Sequence, residues 1–141
     1  MIRVRPALPE EREALEDLQR RASLALPDYR EQLEANPDAV HLPTGQIARG
    51  DVLVAELDGQ VAGFAALDGP ELDGLFVRPD WWGRGIGRAL IQEAVHESRR
   101  RGLSLVTVLA SPGARQFYEK CGFLVEGEEQ TRFGPAFRMS R

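Results

Sequence analysis

The segment Trp82-Gly83-Arg84-Gly85-Ile86-Gly87-Arg88 is the most informative stretch of the chain. Glycine at alternate positions lets the backbone approach a ligand closely. Before it, Glu71 to Val77 reads as a strand, stopped at Arg78-Pro79-Asp80 because proline cannot donate to a ladder. After it, a helix from about Gly85 to Arg101 carries Ile86, Leu90, Ile91, Ala94 and Val95 on its apolar stripe. The start of that helix offers unpaired N–H groups and a positive dipole end. Arg84 and Arg88 add charge at the same place. These are the physical parts of a pyrophosphate cradle, although a tight strand-to-helix connection would use the same glycines.

Two nucleotide motifs fail on spacing. A P-loop needs Gly-x-x-x-x-Gly-Lys followed by Ser or Thr, and the sequence has none. A dinucleotide fingerprint needs glycines at positions 1, 3 and 6 and an acidic residue ending the next strand. Counted from Gly83, position 6 is Arg88, and the next strand ends Leu109-Ala110-Ser111.

Upstream, Asp58-Gly59 is a two-residue hairpin turn, since both residue types tolerate positive φ. It joins strands over 51–57 and 61–67, and Asp68-Gly69-Pro70 turns the chain into 71–77. Ile2 to Arg5 alternates like an edge strand. Pro9-Glu10-Glu11 opens a helix with Leu15, Leu18 and Ala22 on one stripe, fading near Pro27. Tyr29 to Leu33 reads as a short helix, and residues 37–50 as a loop with Pro37, Pro43 and Gly45 as breakers.

Downstream, Arg99, Arg100 and Arg101 suit a helix C-terminus better than a phosphate patch, and Gly102 closes the helix. Leu103 to Leu109 reads as a buried parallel strand. Ser111-Pro112 starts a short helix to about Cys121, ended by Gly122, and 123–126 and 135–139 read as the final strands. The order is strand, helix, antiparallel meander, then strand-helix-strand-helix-strand. It fits an α/β fold with a mixed sheet or a fragment of a doubly wound one.

Bulk properties narrow the function classes. The chain has 141 residues, 43% hydrophobic and 28% charged, with a net charge of -4. That is one ordinary domain, and its mild acidity argues against a nucleic-acid binder. Cys121 is the only cysteine, so no intrachain disulfide forms. His41 and His96 are the only histidines, and no metal-ligand spacing is present. The N-terminus lacks a signal peptide's apolar region and no apolar run approaches a membrane span, so a cytoplasmic protein with no membrane partner is expected.

The stretch Leu75-Phe76-Val77-Arg78-Pro79-Asp80-Trp81-Trp82-Gly83-Arg84-Gly85-Ile86-Gly87-Arg88-Ala89-Leu90 resembles motif A of the GNAT N-acetyltransferases. Ala114-Arg115-Gln116-Phe117-Tyr118-Glu119-Lys120-Cys121-Gly122-Phe123 resembles the family's motif B, in the same order and at matching separation. The resemblance implies a GNAT-like acyl-CoA N-acyltransferase fold of the α/β class. Its mixed, mostly antiparallel sheet has a parallel, splayed strand pair and is flanked by helices. Residues 1–141 would be a single N-acetyltransferase domain.

It further implies acetyl-coenzyme A as co-substrate and an amine as acceptor. Leu75, Phe76 and Val77 would pair their backbone with pantetheine, and the N–H near Val77 would polarise the thioester carbonyl. Gly83, Arg84, Gly85, Ile86, Gly87 and Arg88 would hold the pyrophosphate through backbone N–H groups. The chain departs from the family pattern at Trp82, where Gln or Arg is frequent, and at Ser111, where Asn is frequent. A serine hydroxyl at 111 would reach pantetheine less far.

An alkyl amine has a pKa of about 10 and must lose a proton to attack a thioester. The departing thiolate gains from a proton donor. Tyr118 holds the motif position of the family's acid; otherwise it is a helix tyrosine packing on the sheet. Glu71 is the first candidate base and Asp73 the second. Strict alternation would put Glu71, Asp73, Leu75 and Val77 on one face. Cys121 as a covalent nucleophile is disfavoured, since free cysteine is commonly a buried small hydrophobe. The acceptor is expected to be a small-molecule amine, with a peptide or protein amine as the alternative. A silent acyl-CoA-binding module and a homodimer are also left open.

Overall fold

The structure, a computed structural model, describes residues 1–25, 30–36 and 41–141. Seven strands form one sheet in the order β1-β2-β3-β4-β5-β7-β6. They are β1 (Ile2–Pro6), β2 (Val52–Leu57), β3 (Gln60–Asp68), β4 (Glu71–Val77), β5 (Thr107–Ala110), β6 (Leu124–Thr131) and β7 (Gly134–Ser140). All neighbours are antiparallel except β4 and β5. The helices are α1 (Arg12–Leu24), α2 (Arg30–Ala35), α3 (Thr44–Ala48), α4 (Ile86–Arg100) and α5 (Arg115–Lys120). This is the mixed α/β sheet, not a piece of a doubly wound one.

The β2–β3 turn falls on Asp58 and Gly59, with φ of 51° and 82°. Both central residues are left-handed, as a tight hairpin requires. β4 has the bounds expected from the sequence. Residues 37–50 are not all loop: Thr44–Ala48 forms α3, which buries Gln46 and Ile47. Tertiary burial there overrides the breakers Pro43 and Gly45. Residues 37–40 and Tyr29 lie outside the described residues. The strand expected from Leu103 begins only at Thr107, and Leu105 is half exposed. Its β4 partner starts at Glu71, so the chain has nothing to pair with on that side before Thr107.

The two faces of the sheet are covered separately. Leu15 and Leu18 of α1 and Ile47 of α3 pack on Val52, Val54, Phe64 and Ala66. Leu90, Ile91, Ala94 and Val95 of α4 pack on Leu53, Ala55, Ala65, Leu67 and Leu72. Each such leucine or isoleucine contributes about 1.5–3 kcal/mol by leaving water. Arg100 and Arg101 at the end of α4 both pair with Glu97, and Arg101 also reaches Asp51 at 2.6 Å. The arginine run therefore ties the helix end to the start of β2.

One irregularity in β4 re-aims the site. Ala66 pairs with Gly74 but Leu67 pairs with Leu72, so Asp73 is an extra, bulged residue. Leu72, Leu75 and Val77 consequently share the α4 face, and Phe76 packs on the α1 face. The expected common face for Glu71, Asp73, Leu75 and Val77 is therefore corrected. Glu71 alternates with Leu72 and faces α1, opposite Leu75 and Val77.

Candidate active site

β4 and β5 meet at a single registered pair, Glu71 with Thr107, backed by the bond from Thr107 N–H to the Pro70 carbonyl. Beyond that point the strands part. Hydrogen-bond phase shows which backbone groups face the gap. Arg78 N–H donates to the Ala62 carbonyl, so Phe76 bonds Phe64 across the ladder, and Val77 and Leu75 point away from β3. On the other side Val106 and Arg141 exchange both bonds, which turns the backbone groups of Leu109 toward β4. The gap is thus walled by the peptide groups of Leu75 and Leu109 and by the Val77 N–H, while the Val77 carbonyl is taken by the Trp82 indole. Nothing local to Leu109 marks it in the sequence, because its direction depends on the phase of β7.

The glycine loop closes the open end of this gap. Gly83 and Gly85 are left-handed, with φ of 84° and 81°, and a Cβ on either would meet nothing within 4 Å. Gly85 caps α4. Among the described residues, the backbone N–H groups from Gly83 to Arg88 donate no hydrogen bond; the first to do so is Ala89, to Gly85. Six consecutive donors at a helix start fit a pyrophosphate in charge and hydrogen-bond demand.

The two loop arginines differ. Among the described residues no hydrogen bond or ion pair engages the Arg84 side chain. The Arg88 side chain leaves the loop, and its Nη2 donates to the Lys120 carbonyl at 3.1 Å. That side-chain donor is thus directed at α5, while the backbone N–H of Arg88 remains in the loop. Trp82, 46% exposed, donates its indole N–H to the Val77 carbonyl at 2.9 Å, capping the acceptor where β4 enters the loop. Ser111 follows β5, and its carbonyl receives the N–H groups of Ala114 and Arg115.

Tyr118 lies on the α4 face, 6% exposed, edge-on to Phe117 and Phe123 at 5.3 and 5.4 Å. Among the described residues its hydroxyl has no hydrogen-bond partner. Burial, with a smaller contribution from Cys121, raises its pKa above the ordinary 10, so the phenol stays protonated. Burial also raises the Cys121 thiol, which keeps it un-ionised and a poor nucleophile.

Glu71 is on the α1 face, and burial together with the Asp73 charge raises its pKa against the opposing pull of Arg138. Asp73 is raised by burial and by the Asp68 charge, while the nearby Gln46 amide of α3 works the other way. Gln46 is buried and its Nε2 donates to the Leu67 carbonyl at 2.8 Å. Nothing in the local sequence marks Gln46, because Pro43 and Gly45 make the α3 segment read as loop. Tyr118 and Glu71 thus face opposite sides of the sheet that carries the gap. Among the described residues no group of His, Cys, Asp and Glu is placed to hold a metal, and no helix is long and apolar enough to cross a membrane.

Residues 48–125, more than half of the chain, match the family model for the acetyltransferase (GNAT) domain. The chain belongs to the GNAT family. It is accordingly an enzyme of the acetyl-CoA-dependent N-acetyltransferase class. Among GNAT relatives, it is 31% identical over 134 residues to the 5-NmdU N-acetyltransferase of Pseudomonas phage PaMx11, covering 91% of each chain. It is 32% identical over 136 residues to the peptidyl-lysine N-acetyltransferase YjaB of Salmonella typhimurium, covering 92% of this chain and 88% of that one. A match to the uncharacterized N-acetyltransferase MJ1207 of Methanocaldococcus jannaschii, 36% identical over 84 residues, spans half of this chain and 37% of the relative.

Solved structures agree on the fold. A GNAT protein from Rhodopseudomonas palustris superposes with a TM-score of 0.83 at 28% identity, covering 99% of this chain and 94% of that one. The PaiA N-acetyltransferase of Thermoplasma acidophilum, solved with coenzyme A, superposes with a TM-score of 0.78 at 22% identity, covering 100% and 98%.

Proposed function

We propose that residues 1–141 act as one N-acetyltransferase domain that moves the acetyl group of acetyl-CoA to the primary amine of a small molecule. Transfer is by direct attack in a ternary complex. The observation that carries this reading is the row of six unbonded N–H groups from Gly83 to Arg88 at the open end of the β4–β5 gap. In this reading those groups hold the pyrophosphate. The Leu75 peptide groups and the Val77 N–H, on the edge of β4 that faces the gap, pair with pantetheine, and Ser111 contacts it from the β5 side. The Val77 N–H polarises the thioester carbonyl.

The amine enters from the α1 face, where Glu71 takes its proton directly or through water, with Asp73 beside it. The amine nitrogen bonds to the thioester carbon, the carbon–sulfur bond breaks, and Tyr118 gives its proton to the departing sulfur from the α4 face. Burial raises the phenol pKa, and the same apolar surroundings would raise that of a thiol next to it. The difference that drives the transfer therefore changes less than either value alone.

A lysine side chain is the second reading, because YjaB, 32% identical over 92% of this chain, is named a peptidyl-lysine N-acetyltransferase. The test is a screen of small amines, 5-NmdU and lysine peptides with acetyl-CoA, following free thiol. Turnover on small amines supports the first reading. Turnover confined to peptides replaces it with the second, and binding of acetyl-CoA without transfer to any amine favours a silent module.

A further inference from the structure

Tyr118 sits on a helix that cannot hold itself. α5 has six residues, far below the length at which an isolated helix is stable in water. Its position is set by contacts from other elements. The Phe117 ring presses on the first turn of α4, where a Cβ on Gly87 would come within 2.9 Å of its Cζ. At the other end the last carbonyls, which have no helical partner and carry partial negative charge, each receive a guanidinium. Arg88 Nη2 donates to the Lys120 carbonyl at 3.1 Å, and Arg141 Nη1 donates to the Cys121 carbonyl at 3.0 Å.

Arg88 is therefore divided between two tasks. Its N–H belongs to the loop donors, and its side chain braces the end of the helix that bears the phenol. We infer that the Arg88 side chain is a positioning residue for Tyr118, clamping the end of α5 so that the hydroxyl stays aimed at the reacting sulfur, and is not a phosphate ligand. Filling the loop then steadies the same residue that steadies the acid. This rests on the reading of Tyr118 as the proton donor.

The experiment compares Arg88→Gln, Arg88→Lys, Tyr118→Phe and the double variant Arg88→Gln/Tyr118→Phe. Coenzyme A binding is measured by calorimetry, and acetyl transfer in a single turnover with an amine found in the screen. A misplaced catalytic group of this kind costs on the order of tenfold or more in rate. Arg88→Gln should lose about that much while its Kd for coenzyme A stays within about twofold. Arg88→Lys keeps a cationic donor and should recover much of the rate. In the Tyr118→Phe background, Arg88→Gln should cost less than about twofold more, because the two act as one unit.

A Kd raised about tenfold with an unchanged rate at saturation would make Arg88 a phosphate ligand and overturn the inference. Multiplying losses in the double variant would overturn it as well, since a general weakening of the fold is additive with loss of the acid. A fully active Tyr118→Phe instead removes the acid itself, and with it anything to position. If Arg88→Gln does not fold, Arg141→Gln at the neighbouring carbonyl makes the same comparison.

Discussion

Replacing Gly85 separates the loop's backbone role from every other part of the site. Its φ of 81° is left-handed, and a Cβ there meets nothing within 4 Å. Gly85→Ala therefore has no clash, only the cost of a left-handed non-glycine residue, about 1–2 kcal/mol. For a chain of this size that lowers Tm by about 3–7 °C. If the loop relaxes toward negative φ to relieve the strain, the row of N–H groups no longer converges. Hydrogen bonds to a charged group contribute about 1.5–3 kcal/mol each, so losing two raises Kd for coenzyme A about 100-fold or more. Gly85→Asp adds a carboxylate facing the anion and should weaken binding further.

The assay is calorimetry with coenzyme A and, in parallel, with pantetheine, which lacks the pyrophosphate. Coenzyme A binding should collapse while pantetheine binding stays near that of the parent. An unchanged Kd for a folded Gly85→Asp variant refutes the reasoning. So does an equal loss for both ligands, since the loop would then be acting on something other than the phosphates.

Tyr118→Phe keeps the ring contacts and loses a hydroxyl that has no hydrogen-bond partner among the described residues. Stability should stay within about 0.5 kcal/mol of the parent, while single-turnover transfer falls about 100-fold; full turnover would leave Tyr118 as packing alone. Glu71 titrates above its ordinary 4.5 because of burial and Asp73. Its carboxylate form is thus disfavoured by folding: the stabilisation from its proton is complete below the unfolded value and is lost as pH rises through the folded one. Glu71→Gln should raise Tm at pH 7 but not at pH 4, and should remove the acid limb of kcat/KM; a lowered Tm at pH 7 contradicts this.

Glu11 behaves in the opposite sense. Arg5 bonds both its oxygens at 2.9 and 2.8 Å and the Leu8 N–H adds a third bond, holding its pKa down. That stability is present above the unfolded value and lost as pH falls through the folded one. Glu11→Gln should cost about 1–2 kcal/mol at pH 7, and the cost should vanish in acid melts. A chelator should leave transfer unchanged, and a loss restored by added metal would show a metal requirement.

The loop, the hairpin and the limits of β4 could be read from the sequence because each depends on local backbone demands. Gly83 and Gly85 take a φ that few other residues adopt, Asp58-Gly59 closes a tight turn, and Pro79 ends a strand. The two motif segments likewise carried enough local pattern to place the chain in its family. What the sequence left undetermined depended on distant partners. The bulge at Asp73 exists only because Leu67 and Ala66 pair with Leu72 and Gly74. That one extra residue turns Glu71 to the face opposite Leu75.

The late start of β5, the helix in a proline-bounded loop and the buried Gln46 follow from what lies against them, not from their own composition. The direction of a long side chain belongs to the same class. Arg88 looks like a phosphate cation beside its glycines, but α5 brings a free carbonyl within 3.1 Å. Register and side-chain direction are settled by whichever element arrives alongside, and only the tertiary structure says which one that is.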